Sequence, residues 1–145
     1  MSKSITVVGA GLVGRGWAIV FARAGYDVWL FDVTEEKFTE AFRVIDKNLA
    51  DLASYQLVAD PAEIRGHIRG TTDLAVAVGE AAWVQECVFE KIEVKREVFA
   101  ELDSKTPPGA ILASSTSTFP GSAFTAEVKG RHRCLVAHPI NPPYL

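Results

Sequence analysis

The segment Ser4–Val8 (SITVV) runs directly into Gly9-Ala10-Gly11-Leu12-Val13-Gly14, and an apolar stretch from Leu12 to Ala24 follows without a break. Few folds accommodate a strand that turns on glycines straight into a helix. The GxGxxG spacing selects a βαβ unit of the kind that cradles a dinucleotide. Each glycine has its own reason. Gly9 permits the tight turn, Gly11 lets a pyrophosphate approach the backbone, and Gly14 lets the helix pack close to the strand. The first helical turn, at Leu12 and Val13, offers unpaired N–H groups and the positive end of the helix dipole. Asp32 stands 23 residues after Gly9, at the end of the next predicted strand, Asp27–Phe31. There it is placed to hydrogen-bond a ribose 2′-hydroxyl and to repel a 2′-phosphate, which favours NAD over NADP. Arg15 and Arg23 do not sit beside it in the strand-end loop. A flavin or another adenine dinucleotide fits the same turn.

The rest of the chain repeats the alternation of short apolar runs and longer amphipathic stretches that marks a parallel sheet flanked by helices. Gly25 is a helix stop, and Thr34 a candidate N-cap with Glu35 and Glu36 in the first turn. Behind it Phe38, Phe42, Ile45, Leu49 and Leu52 form one apolar stripe. Asp60-Pro61-Ala62-Glu63 starts another helix, closed by Gly66. Predicted strands follow at 68–71, 82–88, 110–113 and 133–137, with helices over 72–78 and 91–102, the latter turning Val94, Val98 and Leu102 inward. His138 to Leu145 carries three prolines and is excluded from ordinary helix or central strand. The expected fold is α/β, a Rossmann-type doubly wound, mostly parallel sheet, with residues 1–145 forming a single domain.

Composition narrows the function classes. Apolar residues make up 48% and charged residues 23% of 145, which is globular. Fifteen basic against eighteen acidic residues, nowhere concentrated, argue against nucleic acid as a partner. The longest apolar run, Trp17 to Ala22, is six residues, against about 20 for a membrane helix. Cys87 and Cys134 form no metal-like pair with the three histidines, so no metal is expected. Lys3 ahead of ITVVGAGLVG has the outline of a signal peptide, but the glycines interrupt its apolar stretch, and the protein is expected in the cytoplasm.

In an open parallel sheet, ligands bind beyond the carboxyl ends of the strands. Three polar clusters are predicted there: Glu90, with Lys95 one helical turn on; Ser114-Ser115-Thr116-Ser117-Thr118; and His138 with Asn141. Solvated helix starts, capping turns and a structural histidine would account for each cluster singly. Their convergence on the cofactor's edge favours a site. His67 and His132 have no such placement and are expected at the surface.

VVGAGLVGRGWA, ECVFEKIEVK, ASSTST and AHPINPPY, in that order, resemble the NAD-binding half of the 3-hydroxyacyl-CoA dehydrogenase family, and within it the lambda-crystallin and gulonate dehydrogenase branch. The resemblance covers essentially the whole chain. It implies that Glu90 and Lys95 contact the nicotinamide side of NAD, and that Ser117 hydrogen-bonds the reacting oxygen. It further implies His138 as catalytic base and Asn141 as an aid to positioning substrate and nicotinamide. The 21-residue separation of Ser117 and His138 matches the family's spacing. Such residues suit oxidation of a 3-hydroxyl: an imidazole takes the proton, a hydroxyl steadies the oxygen, and the cofactor accepts the hydride.

The sequence departs from the acyl-CoA enzymes at His138-Pro139-Ile140-Asn141, where they carry aromatic residues after the histidine. This form resembles members acting on free polar hydroxy acids such as gulonate or carnitine, with a CoA thioester as the other candidate substrate. The family also uses a glutamate about a dozen residues past the histidine to orient it, and a helical domain that closes the site and dimerises. Both lie beyond Leu145. An unoriented base is a poor one, so this polypeptide alone is expected to bind NAD and to turn over substrate weakly or not at all. The alternative is a non-catalytic, crystallin-like NAD-binding module.

Overall fold

β-Branched and aromatic runs bounded by glycine or proline become strands, and the amphipathic segments between them become helices. The computed structural model describes residues 4–145, so Lys3 lies outside the described residues, while the ITVVGAGLVG that follows it forms a strand, the glycine turn and the start of a helix. In chain order the elements are β1 (Ser4–Val8), α1 (Leu12–Arg23), β2 (Asp27–Phe31), α2 (Glu35–Ser54), α3 (Pro61–Gly66) and β3 (Ile68–Thr71). Then come α4 (Leu74–Val78), β4 (Ala81–Glu86), α5 (Ile92–Lys105), β5 (Ile111–Ser114), α6 (Gly121–Thr125), a 3₁₀ turn (Arg131–Arg133) and β6 (Cys134–Val136).

All described strands pair in parallel in the order β3-β2-β1-β4-β5-β6, the expected doubly wound sheet. The order reverses between β1 and β4, which makes a switch point where a crevice opens. One apolar core joins β1, β2 and β3 to α1 and α2 through Val7, Leu30, Ile19, Ile45 and Leu49. The other face joins Val84 and Leu112 to α4, α5 and α6 through Val78, Phe99, Leu102 and Phe124. Burying both faces is what near-continuous apolar strands require.

Capping followed the sequence in part. The Asp60 side chain accepts the Glu63 N–H at 3.0 Å, as its spacing predicts. Thr34 holds the cap position of α2 in extended backbone but makes no side-chain cap bond. Asp73, which sequence reasoning passed over, caps α4 by accepting from the Ala75 and Val76 amides. Helix α6 was not anticipated at all; GSAFT is too short to show a period.

The inward face of α5 is the main correction. Leu102 is fully buried as expected, but Val94 and Val98 are only half-buried, and Lys95 and Phe99 are fully buried in their place. A shift of one residue turns a helix by about 100°, so the stripe one step along faces the sheet, with a lysine in it. His67 is half-buried and lies 3.2 Å from the Asp27 carboxylate, while His132 is exposed.

Pairing aligns Thr71, Phe31, Val8, Glu86, Ser114 and Val136 in one row across the carboxyl edge. Everything immediately downstream of that row emerges on the same side. Edge strand β6 is held by Arg133. Its guanidinium bonds the Asp103 carboxylate at 2.7 Å, the Asp103 carbonyl at 3.0 Å and the Pro107 and Ala110 carbonyls at 2.7 and 3.1 Å. Burial works to raise the Asp103 carboxyl, but the Arg133 guanidinium and the Gly130 amide outweigh it and hold it below its usual range. Arg133→Met should therefore cost about 2–4 kcal/mol in urea unfolding, because a carboxylate and three carbonyls lose their donor. A depressed folded value means that the stabilisation is full above the ordinary aspartate range and is lost as pH falls through the folded value. The stability gap between wild type and Arg133→Met should narrow in acid.

Candidate functional site

The glycine turn is built by contacts that exclude side chains. Gly9 has φ +106°, and a Cβ there would lie 2.7 Å from the Cys87 carbonyl oxygen. A Cβ on Gly14 would lie 1.8 Å from the Gly9 oxygen, so α1 sits directly on the turn. Gly11 differs: its φ is −75°, and a Cβ would meet no protein atom within 4 Å. Neither backbone strain nor internal packing calls for glycine at that position. What remains is open space for an external group to reach the backbone. Helix α1 has no side-chain cap and no acidic residue in its first turn, unlike α3, whose first turn carries Glu63 behind the Asp60 cap. The amides of the first turn, at Leu12 and Val13, thus have no side-chain acceptor to satisfy them. A pyrophosphate fits these residues on both counts.

Asp32 follows β2 and turns towards the loop after β1. One carboxylate oxygen accepts the Ala10 amide at 2.8 Å and the other the Val33 amide at 2.7 Å, with the Lys37 ammonium 3.4 Å away. Its first task is to tie the glycine turn to the end of β2. Each oxygen retains a lone pair for a ribose hydroxyl.

Beyond β4, β5 and β6 lies the second half of the edge. Glu86 is fully buried and accepts from the Lys95 ammonium at 2.9 Å, from the Ser114 hydroxyl and from the Val88 amide at 2.8 Å. Lys95 is also 3.5 Å from Glu90, whose side chain is 40% exposed. Glu90 accepts from the Thr116 hydroxyl and from the Ser117 amide at 3.3 Å. Burial would raise the Glu90 carboxyl, but those two hydrogen bonds and the Lys95 ammonium prevail and hold it below the usual range. Lys95 therefore reaches the crevice through Glu90, its own side chain being 2% exposed.

A second network sets the loops. Ser115 Oγ accepts from Trp17 Nε1 at 3.0 Å and Gln85 Nε2 at 2.7 Å, and lies 3.2 Å from Cys87 Sγ. Gln85 Nε2 also donates to the Ala137 carbonyl at 3.2 Å. Desolvation pushes the Cys87 thiol up to about 12, against a lowering from Ser115, which leaves it protonated and unreactive. Through these bonds α1 and β4 together hold the 114–118 loop and the start of the tail. The result brings Ser117 and His138 to one open cleft of about 570 Å³, walled by Phe119, Pro120 and Val136.

Asn141 does not join that cleft. It lines a separate cavity of about 220 Å³ between α1 and α2, with Leu12, Arg15 and Asn48. The tail is drawn there because Pro143 packs on Gly16, where a Cβ would lie 2.5 Å from its ring. Tyr144 then joins the α1–α2 core.

Sequence reasoning passed over Glu86 and Gln85, and it placed Ser115 and Thr116 at the edge without giving them partners. The signal for the first two was present: Gln and Glu stand side by side at the end of an otherwise apolar strand, where a doubly covered sheet rarely admits them. Ser115 and Thr116 lay inside a run that a capping turn explained as well. Among the described residues no group of side chains is arranged to hold a metal, and no helix is long and apolar enough to cross a membrane.

Comparison with known proteins agrees with this geometry. Residues 4–145 match the family model described as 3-hydroxyacyl-CoA dehydrogenase, NAD binding domain. A lambda-crystallin homolog from Bos taurus is 43% identical over 145 residues, covering 97% of this chain and 44% of its own length. An L-carnitine dehydrogenase from Streptomyces griseus is 36% identical, covering 99% of this chain and 42% of its own. The solved 3-hydroxybutyryl-CoA dehydrogenase from Escherichia coli superimposes with a TM-score of 0.93 at 29% identity, over 99% of this chain and 30% of that one. The chain thus spans less than half the length of these relatives. Its glycine turn, its switch-point crevice and the match over residues 4–145 make it a member of the 3-hydroxyacyl-CoA dehydrogenase family, corresponding to the family's NAD-binding domain.

Proposed function

We propose that this chain is the cofactor-binding part of an NAD-dependent dehydrogenase that oxidises the 3-hydroxyl of a small polar hydroxy acid. The observation that carries the reading is the meeting of Ser117 and His138 at one cleft, on the β4–β6 side of the switch point. A dinucleotide laid across that crevice has its adenosine half over β1 and β2, beside Asp32, and its nicotinamide half over Glu90, Ser117 and His138. When bound, NAD supplies the hydride acceptor. The chain's own residues do the rest: the first turn of α1 binds the pyrophosphate, and Asp32 holds the ribose. Ser117 donates a hydrogen bond to the substrate oxygen, and the exposed His138 imidazole takes its proton.

A free acid is favoured because one relative is an L-carnitine dehydrogenase and because Pro139 and Ile140 stand where the acyl-CoA enzymes have aromatic residues. A CoA thioester is the second substrate class, as in the solved 3-hydroxybutyryl-CoA dehydrogenase. The cleft is open, so the surface that encloses substrate comes from sequence outside residues 4–145, in the same polypeptide or another chain. Asn141 takes a positioning role only if the tail moves it towards the cleft on closure. Cytoplasmic residence goes with this reading, since Cys87 and Cys134 are both free thiols.

Gly11→Ala and Gly14→Ala separate the two uses of glycine. The first should leave the melting temperature within a few degrees of wild type and weaken NAD at least tenfold by calorimetry, because its methyl enters only the pyrophosphate's space. The second should destabilise the fold itself, by about 2 kcal/mol or more, as a methyl cannot fit against the Gly9 carbonyl. NAD should bind at least tenfold more tightly than NADP, and Asp32→Ser should narrow that gap; equal affinity for the two in the wild type would contradict the role of Asp32. Joined to its substrate-enclosing part, the protein should oxidise carnitine or gulonate faster than 3-hydroxybutyryl-CoA, with His138→Ala reducing kcat about 100-fold or more. Turnover that survives His138→Ala would remove it as the base, and full NAD binding with no turnover of either substrate class would favour a crystallin-like role.

A further inference from the structure

The three charges beside the nicotinamide half of the crevice do not cancel. Lys95 lies closer to Glu86, at 2.9 Å, than to Glu90, at 3.5 Å. Glu86 is fully buried behind the sheet edge and also receives Ser114 and the Val88 amide, so its charge is satisfied internally. Glu90 is the exposed member: its side chain is 40% exposed even though its two carboxylate oxygens accept from the Thr116 hydroxyl and the Ser117 amide. A lysine paired with Glu90 alone would neutralise the edge. A lysine already neutralised from behind does not.

We propose that Glu86, by taking up the charge of Lys95 inside the fold, leaves Glu90 as a surplus negative charge at the nicotinamide half of the crevice, which lowers the dissociation constant of NAD⁺ relative to NADH. The oxidised ring carries a positive charge and the reduced ring none, so a carboxylate beside it distinguishes them where the adenosine half cannot. Glu86 is a specificity-determining residue that touches neither cofactor nor substrate. This assignment rests on the nicotinamide lying over the β4–β6 edge, as proposed above.

Counting charges tests it. The cluster of Glu86, Lys95 and Glu90 carries −1 in the wild type, 0 in E86Q, 0 in E90Q and −1 again in the double variant E86Q/K95M. Dissociation constants for NAD⁺, NADH and ADP-ribose are measured by calorimetry on all four proteins. The ratio of the NADH to the NAD⁺ constant should fall roughly three- to tenfold in E86Q and E90Q, the range expected for one partly screened charge at short distance. It should return to within about twofold of wild type in E86Q/K95M, although that variant has lost the ion pair. ADP-ribose lacks the ring and should bind within about twofold of wild type throughout. If E86Q leaves Lys95 too poorly matched to fold, E90Q and the double variant carry the comparison. An unchanged ratio in E90Q, or a lowered ratio in E86Q/K95M, overturns the proposal. A wild type that does not bind ADP-ribose would overturn the cofactor crevice as well, whereas normal ADP-ribose binding with ratios indifferent to charge overturns this inference alone.

Discussion

The seating of α1 on the turn after β1 is the contact on which the site depends. Gly14 lies against the Gly9 carbonyl with no room for a methyl, and Gly9 in turn lies close against the Cys87 carbonyl just past β4. That closeness puts the uncapped end of the helix at the switch point. Further along the same helix, Gly16 receives Pro143 and Trp17 donates to Ser115. One helix thus fixes the phosphate cradle, the returning tail and the loop that carries Ser117. Interiors packed to crystal-like density leave little freedom to adjust such contacts separately.

Burial of charge is the second organising constraint. Glu86 and Lys95 are among the largest fully buried side chains of the fold. An ion pair in that position contributes little net stability, since desolvation offsets most of the attraction. Its value lies in geometry. The pair joins β4 to α5, and with Ser114, Thr116 and Glu90 it converts the end of the sheet into a connected set of hydrogen bonds. An apolar pair there would leave the Ser114 hydroxyl without its acceptor and Glu90 without its ammonium.

Much of this was legible in the chain itself, and the reason is local. Strand, glycine turn, helix and terminal Asp32 are consecutive, and each is dictated by backbone sterics, period and hydrogen-bonding capacity within a few residues. The same holds for the stripe on α2 and for Asp60. Reading failed where the decisive partner is distant in sequence. Lys95 was expected at the cofactor's edge and is instead fully buried; only Glu86, nine residues earlier on a strand, makes that inward orientation tolerable. Val94 and Val98 gave a plausible apolar face, but the sheet selected the adjacent one.

A parallel α/β unit with a dinucleotide turn is written into consecutive residues, because those features follow from short-range rules of sterics, period and hydrogen bonding. Which polar residues share a site was set by how the strands pair and pack. Parallel pairing set Val8, Glu86, Ser114 and Val136 in one row and so brought Glu90, Ser117 and His138 to one edge. It also sent Asn141 elsewhere, as Pro143 found its place on Gly16. Register and packing are properties of segments brought together across many residues, and spacing along the chain does not encode them one residue at a time.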